Sequence, residues 1–234
     1  MSGRREELAA ALAALGKRVD QACARSGRDP GDVTTIVVTK THPVSDLALL
    51  ADLGVVDVGE ARDAEGRDKR AALVDRGLHW HAVGQVQTKK SSSVAGWADV
   101  VHSVDRGKLV LALGRGAVAV GRELAVLIQV DLDPGGSAAE RGGASPSSVP
   151  GLADLVAATD GLRLAGVMAV APLGSDPARA FALLRDTSDQ LRGAHPAAQW
   201  ISAGMSGDLE AAVAAGATHL RVGTAVLGSR PALG

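Results

Sequence analysis

Lys40 closes the apolar run Ile36-Val37-Val38-Thr39, and a lysine in that position has the means to do chemistry. Packed apolar walls disfavour an ammonium, which lowers the pKa and frees the amine to attack a carbonyl. On position alone, a solvated lysine at a strand exit is the commoner outcome. A second group pairs Ser202-Ala203-Gly204-Met205-Ser206 with Arg221-Val222-Gly223-Thr224. Glycines admit an anion close to the backbone, hydroxyls donate hydrogen bonds, and a helix start adds N–H groups, so the pair suits a phosphate. Asp208 opposes this, because a carboxylate in the first helical turn repels an anion unless it points outward. Ordinary turns use the same residue types. An amine and a phosphate cup on one rim are what a phosphorylated aldehyde needs. Third, in His79-Trp80-His81 the imidazoles are two residues apart and share a strand face, so both could meet one metal. No third ligand stands at a helpful spacing, so packed or hydrogen-bonded histidines are expected and no metal is assigned. Glu60, after Gly59, reads as a rim carboxylate, either solvated or ion-paired.

These groups fall at the ends of a regular series of elements. Strands are expected at 34–39, 55–59, 78–83, 100–104, 124–132, 162–169, 199–203 and 219–222, several of them continuous in Val, Ile and Leu as in strands covered on both faces. Between them lie helical patterns. Pro43, Pro146 and Pro177 stand at first helical positions, the last two after Ser145 and Asp176 as caps. Gly54 and Gly216 mark helix ends. Strict alternation implies a parallel sheet, and eight strands favour a single closed (β/α)8 barrel over residues 1–234, with a doubly wound open sheet as the alternative. The chain lacks a Gly-x-Gly-x-x-Gly after the first strand, which weakens a dinucleotide fold. Leu8, Leu12, Leu15 and Val19 repeat at helical spacing, so an N-terminal amphipathic helix is favoured over a signal peptide. The Gly- and Ser-rich segment 135–145 reads as a mobile loop after the fifth strand.

Composition removes other classes. A formal charge of −1 with scattered Lys and Arg gives no basic face, and 2% aromatic residues leave no stacking platform, so nucleic acid is excluded as a partner. Cys23 is the only cysteine, which rules out an internal disulfide and fits a cytoplasmic setting. No apolar stretch is long enough to span a bilayer, so no membrane is expected.

In order along the chain, Val38-Thr39-Lys40-Thr41-His42-Pro43, Val58-Gly59-Glu60, Trp80 to Gln87, Gly166-Val167-Met168-Ala169, Ser202 to Asp208 and Arg221 to Arg230 resemble the pyridoxal phosphate homeostasis protein family, the YggS-type proteins and their eukaryotic relatives. The resemblance spans about Val33 to Arg230 and implies a barrel like the N-terminal domain of alanine racemase, without its C-terminal β-domain. It implies pyridoxal 5′-phosphate as cofactor, held by Lys40 as a Schiff base. Ser202, Gly204, Met205, Ser206, Gly223 and Thr224 would surround the phosphate, and Arg221 would face the pyridine nitrogen. A guanidinium keeps its own protons, so the ring is a weaker electron sink than one paired with an aspartate.

Three positions depart from the family pattern: Ala61 stands for Asn, Ala64 for Gln and Lys89 for Asn, so a rim hydrogen bond is lost. Arg141-Gly142-Gly143 replaces a Lys-Ser-Gly pattern. The resemblance implies a monomeric carrier that buffers the cofactor and delivers it to apo forms of pyridoxal-phosphate enzymes, with no catalytic turnover. The alternative is a slow amino-acid racemase. Racemisation needs acid and base groups on both faces of Cα, and the chain has no tyrosine, leaving His81 or a water. A third reading, from barrel analogy alone, is a phosphosugar isomerase or aldolase in which Lys40 binds substrate directly.

Overall fold

The computed structural model describes residues 2–133 and 142–228. Alternating strands and helices close into one parallel barrel in which each strand pairs with its sequence neighbours and the eighth returns to the first. The strands are β1 (Thr34–Val38), β2 (Asp57–Glu60), β3 (His79–Ala82), β4 (Val100–Val104), β5 (Leu124–Gln129), β6 (Leu162–Met168), β7 (Trp200–Ser202) and β8 (His219–Val222). The helices among the described residues are α1 (Ser2–Arg25), α2 (Val44–Asp52), α3 (Asp63–Ala72), α4 (Ser91–Trp97), α5 (Gly107–Ala119), α6 (Val149–Ala157), α7 (Pro177–Ala194), α8 (Leu209–Ala214) and α9 (Thr224–Leu227). The open-sheet alternative is excluded, because β1 pairs with β8 from Thr34↔His219 to Val37↔Val222.

Two strands are shorter than expected because a competing hydrogen bond takes the backbone. The Val55 N–H goes to Leu50 O and closes α2, which delays β2. Beyond Gln129, Val130 bridges Ala144 and the Asp131 N–H goes to Ala144 O, so the fifth strand turns out of the barrel. Gly54 and Gly216 stand just past α2 and α8 with φ of +88° and +96°. Asp176 caps α7 through the Ala178 N–H, with Pro177 first in the helix. Two expectations need correction. Pro43 is the cap of α2 and not its first residue. Ser145 stands at the cap position before Pro146, but its hydroxyl bonds those of Ser147 and Ser148 in place of a backbone N–H. Most of the segment expected as a mobile loop lies outside the described residues, as do Arg141, Ser229 and Arg230.

Val58, Trp80, Val101, Val126 and Val167 point outward into the main core beneath the helices. The barrel interior is divided. One side is an apolar cluster of Val100, Ala125, Leu127, Ala165 and Met168, and the other holds the buried polar residues His81, His102, Ser202, His219 and Arg221. Helix α1 spends its apolar stripe on packing, with Leu8 fully buried and Leu15 and Val19 nearly so. It lies against α8 and α9 and ties them down. Arg18 forks onto Glu210 and reaches Ser206 O, while Arg4 joins Asp46 to Leu227 O. No helix among the described residues is long and apolar enough to cross a membrane.

Candidate functional site

A cavity of about 330 Å³ opens at the C-terminal mouth of the barrel, lined among others by Lys40, His42, Met205, Ser206, Arg221, Gly223 and Thr224. That volume lies at the lower end of the range for small-molecule sites, roughly 300 Å³ upward. Six of the eight residues singled out in the sequence meet there. Ser202 and Gly204 do not line the cavity. Ser202 is fully buried behind Arg221, and its hydroxyl accepts from Arg221 Nη1 at 2.6 Å. Gly204 has φ +90°, and a Cβ there would lie 2.6 Å from Ala212 Cβ and 2.9 Å from Leu220 Cδ2. Its glycine is required by packing between β7 and α8.

Lys40 lies two residues beyond β1, in a turn held from several directions. Thr41 has φ +68°, the one positive value of a non-glycine residue among those described, a left-handed conformation costing roughly 1–2 kcal/mol. A buried ion cluster fixes this turn. Lys69, from α3, is 5% exposed, and its Nζ donates to Thr39 O at 2.8 Å, Glu60 Oε1 at 2.7 Å and Glu65 Oε1 at 2.7 Å. Thr39 donates its hydroxyl to Glu60 Oε1 at 2.5 Å, and Thr41 its N–H to Glu65 Oε1 at 2.6 Å. Glu60 is therefore an ion-pair partner and not a solvated carboxylate. Burial raises its pKa against the lowering effect of Lys69 and Thr39, and its Oε2 has no hydrogen-bond partner. Lys69 and Glu65 escaped the sequence reading. The only signal was their i, i+4 spacing in a helix that otherwise reads as solvated.

Arg221 is 5% exposed. Its Nη2 donates to Ala169 O at 2.8 Å, and no carboxylate among the described residues lies within 4.0 Å. Burial lowers its pKa to about 10, so the guanidinium stays charged at neutral pH. A buried cation with no carboxylate in contact, offset in part by the more distant charge of Asp208, is costly and suits an electron-rich ligand. Asp208, suspected of repelling an anion, turns its carboxylate onto the Met205 N–H at 2.6 Å. Ser206 Oγ accepts the Ala225 N–H at 3.2 Å and ties the β7 loop to α9. Together these residues fit a small anionic aldehyde: an amine, a buried guanidinium and two braced loops face one cavity.

Behind Arg221 a hydrogen-bonded chain crosses the barrel. Ser202 Oγ meets His102 Nδ1 at 3.0 Å, His102 Nε2 meets His81 Nδ1 at 2.9 Å, and His81 Nε2 meets Asp57 Oδ1 at 2.9 Å. Burial lowers the pKa of both imidazoles, so both are neutral at pH 7. Asp57 can only accept from His81 Nε2–H, which makes every donor in the chain point from Arg221 toward Asp57. His81 lies outside the cavity and is fully buried, which removes it as an acid or base there. His42 does line the cavity, and burial lowers its pKa too. Two of the departing residues, Ala61 and Ala64, line a separate cavity of about 310 Å³ beside Glu60. The third, Lys89, is exposed.

The model of the alanine racemase N-terminal domain family matches residues 11–231. A relative from Mycobacterium tuberculosis (strain ATCC 25618 / H37Rv), named pyridoxal phosphate homeostasis protein, is 42% identical over 97% of this chain and 94% of its own length. The solved structure of PipY from Synechococcus elongatus PCC7942, with PLP bound, is 32% identical, covering 94% of this chain and all of that one, with a TM-score of 0.81. An alanine racemase of Clostridium difficile 630 shares the fold, with a TM-score of 0.76 at 16% identity over 97% of this chain and 58% of its own.

Proposed function

Because the chain belongs to the pyridoxal phosphate homeostasis protein family, built on the alanine racemase N-terminal fold, we propose that it holds pyridoxal 5′-phosphate at Lys40 as a Schiff base and delivers it to apo-enzymes. The observation that carries this is the meeting of Lys40 with the unpaired, buried Arg221 on one cavity. When bound, the cofactor supplies a reactive aldehyde and a phosphate, and its ring can withdraw electrons from an attached amine. Lys40 supplies the amine, in a turn that the Lys69 cluster keeps in place. Arg221 offers hydrogen bonds to the ring side but surrenders no proton at neutral pH. Ser206, Gly223 and Thr224 would hold the phosphate, with Met205 lining the same cavity. Gly204 and Ser202 support this shell from behind.

Such a site holds more readily than it turns over. The chain has no tyrosine, and His42 is the one imidazole lining the cavity. We infer a monomer and a single barrel domain, because six of the eight candidate residues meet on one cavity within one chain, and a cytoplasmic setting in keeping with the free, buried Cys23.

The test is optical. Protein purified without added cofactor should show a Schiff-base absorption band that borohydride bleaches and that Lys40→Ala lacks. A colourless protein that cannot be loaded would overturn the reading. Delivery is tested by transfer to an apo-enzyme in the presence of a trap for free cofactor. Transfer no faster than release into the trap would leave storage without delivery.

A further inference from the structure

The far end of the crossing chain is a site of its own. Asp57 opens β2 and His79 opens β3 as its register partner, so both stand at the N-terminal mouth of the barrel, opposite the cavity. His81, two residues on, turns inward on the same face. Asp57 Oδ1 lies 3.0 Å from His79 Nδ1 and 2.9 Å from His81 Nε2, and the three ligand atoms lie within 4.8 Å of one another. We propose that Asp57, His79 and His81 bind one divalent transition-metal ion of the zinc and cobalt class.

Three features separate this trio from an incidental ion pair. First, both imidazole nitrogens converge on the same carboxylate oxygen. Cis ligands about 2.1 Å from an ion lie about 3.0 Å apart in an octahedron and about 3.4 Å in a tetrahedron, so both contacts to Asp57 already have ligand spacing, and the two imidazole nitrogens, within 4.8 Å of each other, close by up to about 1.4–1.8 Å to share an ion. Second, His81 is anchored through its other nitrogen to His102 Nε2 at 2.9 Å, the outer contact that orients a ligating imidazole. Third, the side chains of His79 and Asp57 are 39% and 22% exposed while His81 is fully buried, so an ion has a path in and solvent can complete its shell. Two imidazoles and one carboxylate favour a borderline ion over magnesium or calcium.

Ligation has a consequence at a distance. His81 must offer a lone pair at Nε2, so its proton moves to Nδ1. His102 must then accept at Nε2 and donate from Nδ1 to Ser202 Oγ, which already accepts from Arg221. The whole chain of donors reverses up to the residue behind the cavity. Relevance of that reversal to the cofactor rests on the function proposed above. The metal site does not.

The experiment uses the full chain without a polyhistidine tag, titrated with cobalt(II) and read by its visible d–d bands. One ion per chain should bind with micromolar affinity. His79→Ala, at a partly exposed position, should weaken this by about a hundredfold or more, beyond what loss of an outer contact does. Nitrogen-15 spectra should show His81 and His102 exchanging tautomers as zinc is added. Binding that does not saturate below millimolar metal, affinity unchanged in His79→Ala, or fixed tautomers at saturation would each overturn the proposal. All three readouts are independent of Lys40 and of any absorption from the cofactor.

Discussion

Lys69→Met removes the cation at the centre of the cluster under Lys40. Lys69 Nζ sits 2.7 Å from both Glu60 Oε1 and Glu65 Oε1 and 2.8 Å from Thr39 O, at 5% exposure. Methionine fills nearly the same volume, so packing changes little, but Glu60 is left fully buried with no cation. Removing one member of a buried pair costs about 3–5 kcal/mol. Glu65 is partly solvated and adds little. Glu60 has one relief, which is to take up a proton, since burial already raises its pKa. The variant should therefore lose about 3–5 kcal/mol at pH 7 and less at pH 5, where neutralising Glu60 is easier. For a chain of this size that is a drop in melting temperature of about 10 °C, at about 2–4 °C per kcal/mol. Adding Glu60→Gln should restore roughly half of the loss, because the buried charge is gone while the Thr39 hydroxyl keeps an acceptor. Denaturant unfolding of both single variants and the double gives the coupling energy. Cofactor loading should weaken in Lys69→Met even where the protein is fully folded, because the Thr39–Thr41 turn loses its clamp. A single variant as stable as the parent, or a double variant no better than the single, would refute the reasoning.

The buried histidines set an acid limit. Burial pushes His219 down to about 4, so the unfolded chain takes up a proton from about pH 6.5 while the folded one resists until about 4. Stability is full above pH 6.5 and falls as the pH drops, by about 3 kcal/mol for this group alone. His219→Gln should flatten that part of the stability profile in chemical denaturation, and an unchanged slope would count against it. Gly204→Ala places a methyl 2.6 Å from Ala212 Cβ at φ +90°, so a loss of about 2–4 kcal/mol is expected, read by thermal melting. Arg221→Gln should leave the cofactor-free protein no less stable, since it removes an unpaired buried charge, while cofactor affinity measured by titration falls at least about tenfold.

Much of the rim was legible because a parallel barrel obeys a positional rule. Residues one or two past a strand face the mouth, so Lys40, Gly223 and Thr224 could be placed from strand ends alone, and Ser206 from the loop that follows the seventh strand. The rule fails one residue earlier. Ser202 is the last residue of β7 and points into the barrel behind Arg221, where a serine and a histidine a hundred positions away complete each other's hydrogen bonds. Nothing local in His102-Ser103 distinguishes a buried relay from a strand exit. Lys69 shows the same limit in a helix. In Asp63–Ala72 every charged residue reads as solvated, and only the fold brings Lys69 under the β1 turn to meet Glu60. His79 and His81 were recognised as sharing a face, but their third companion comes from a neighbouring strand, set by register and not by spacing.

The interior of this barrel also bears on how an anionic ligand would be retained. A barrel filled by branched apolar layers would be more stable, and the Val100, Ala125 and Leu127 side shows that such packing is available to this chain. On the opposite side stand neutral histidines, a serine and an unpaired guanidinium, and each is fully or nearly fully buried. The hydrogen bonds among them relieve part of the desolvation, and the charge of Arg221 is offset in part by Asp208 at a distance. An anionic ligand relieves that charge whenever it binds, without any reaction. The strain therefore favours occupancy of the site. Adding cofactor should therefore raise the melting temperature of the parent far more than that of Arg221→Gln, at concentrations that saturate both. Equal shifts would mean that the buried charge takes no part in retention.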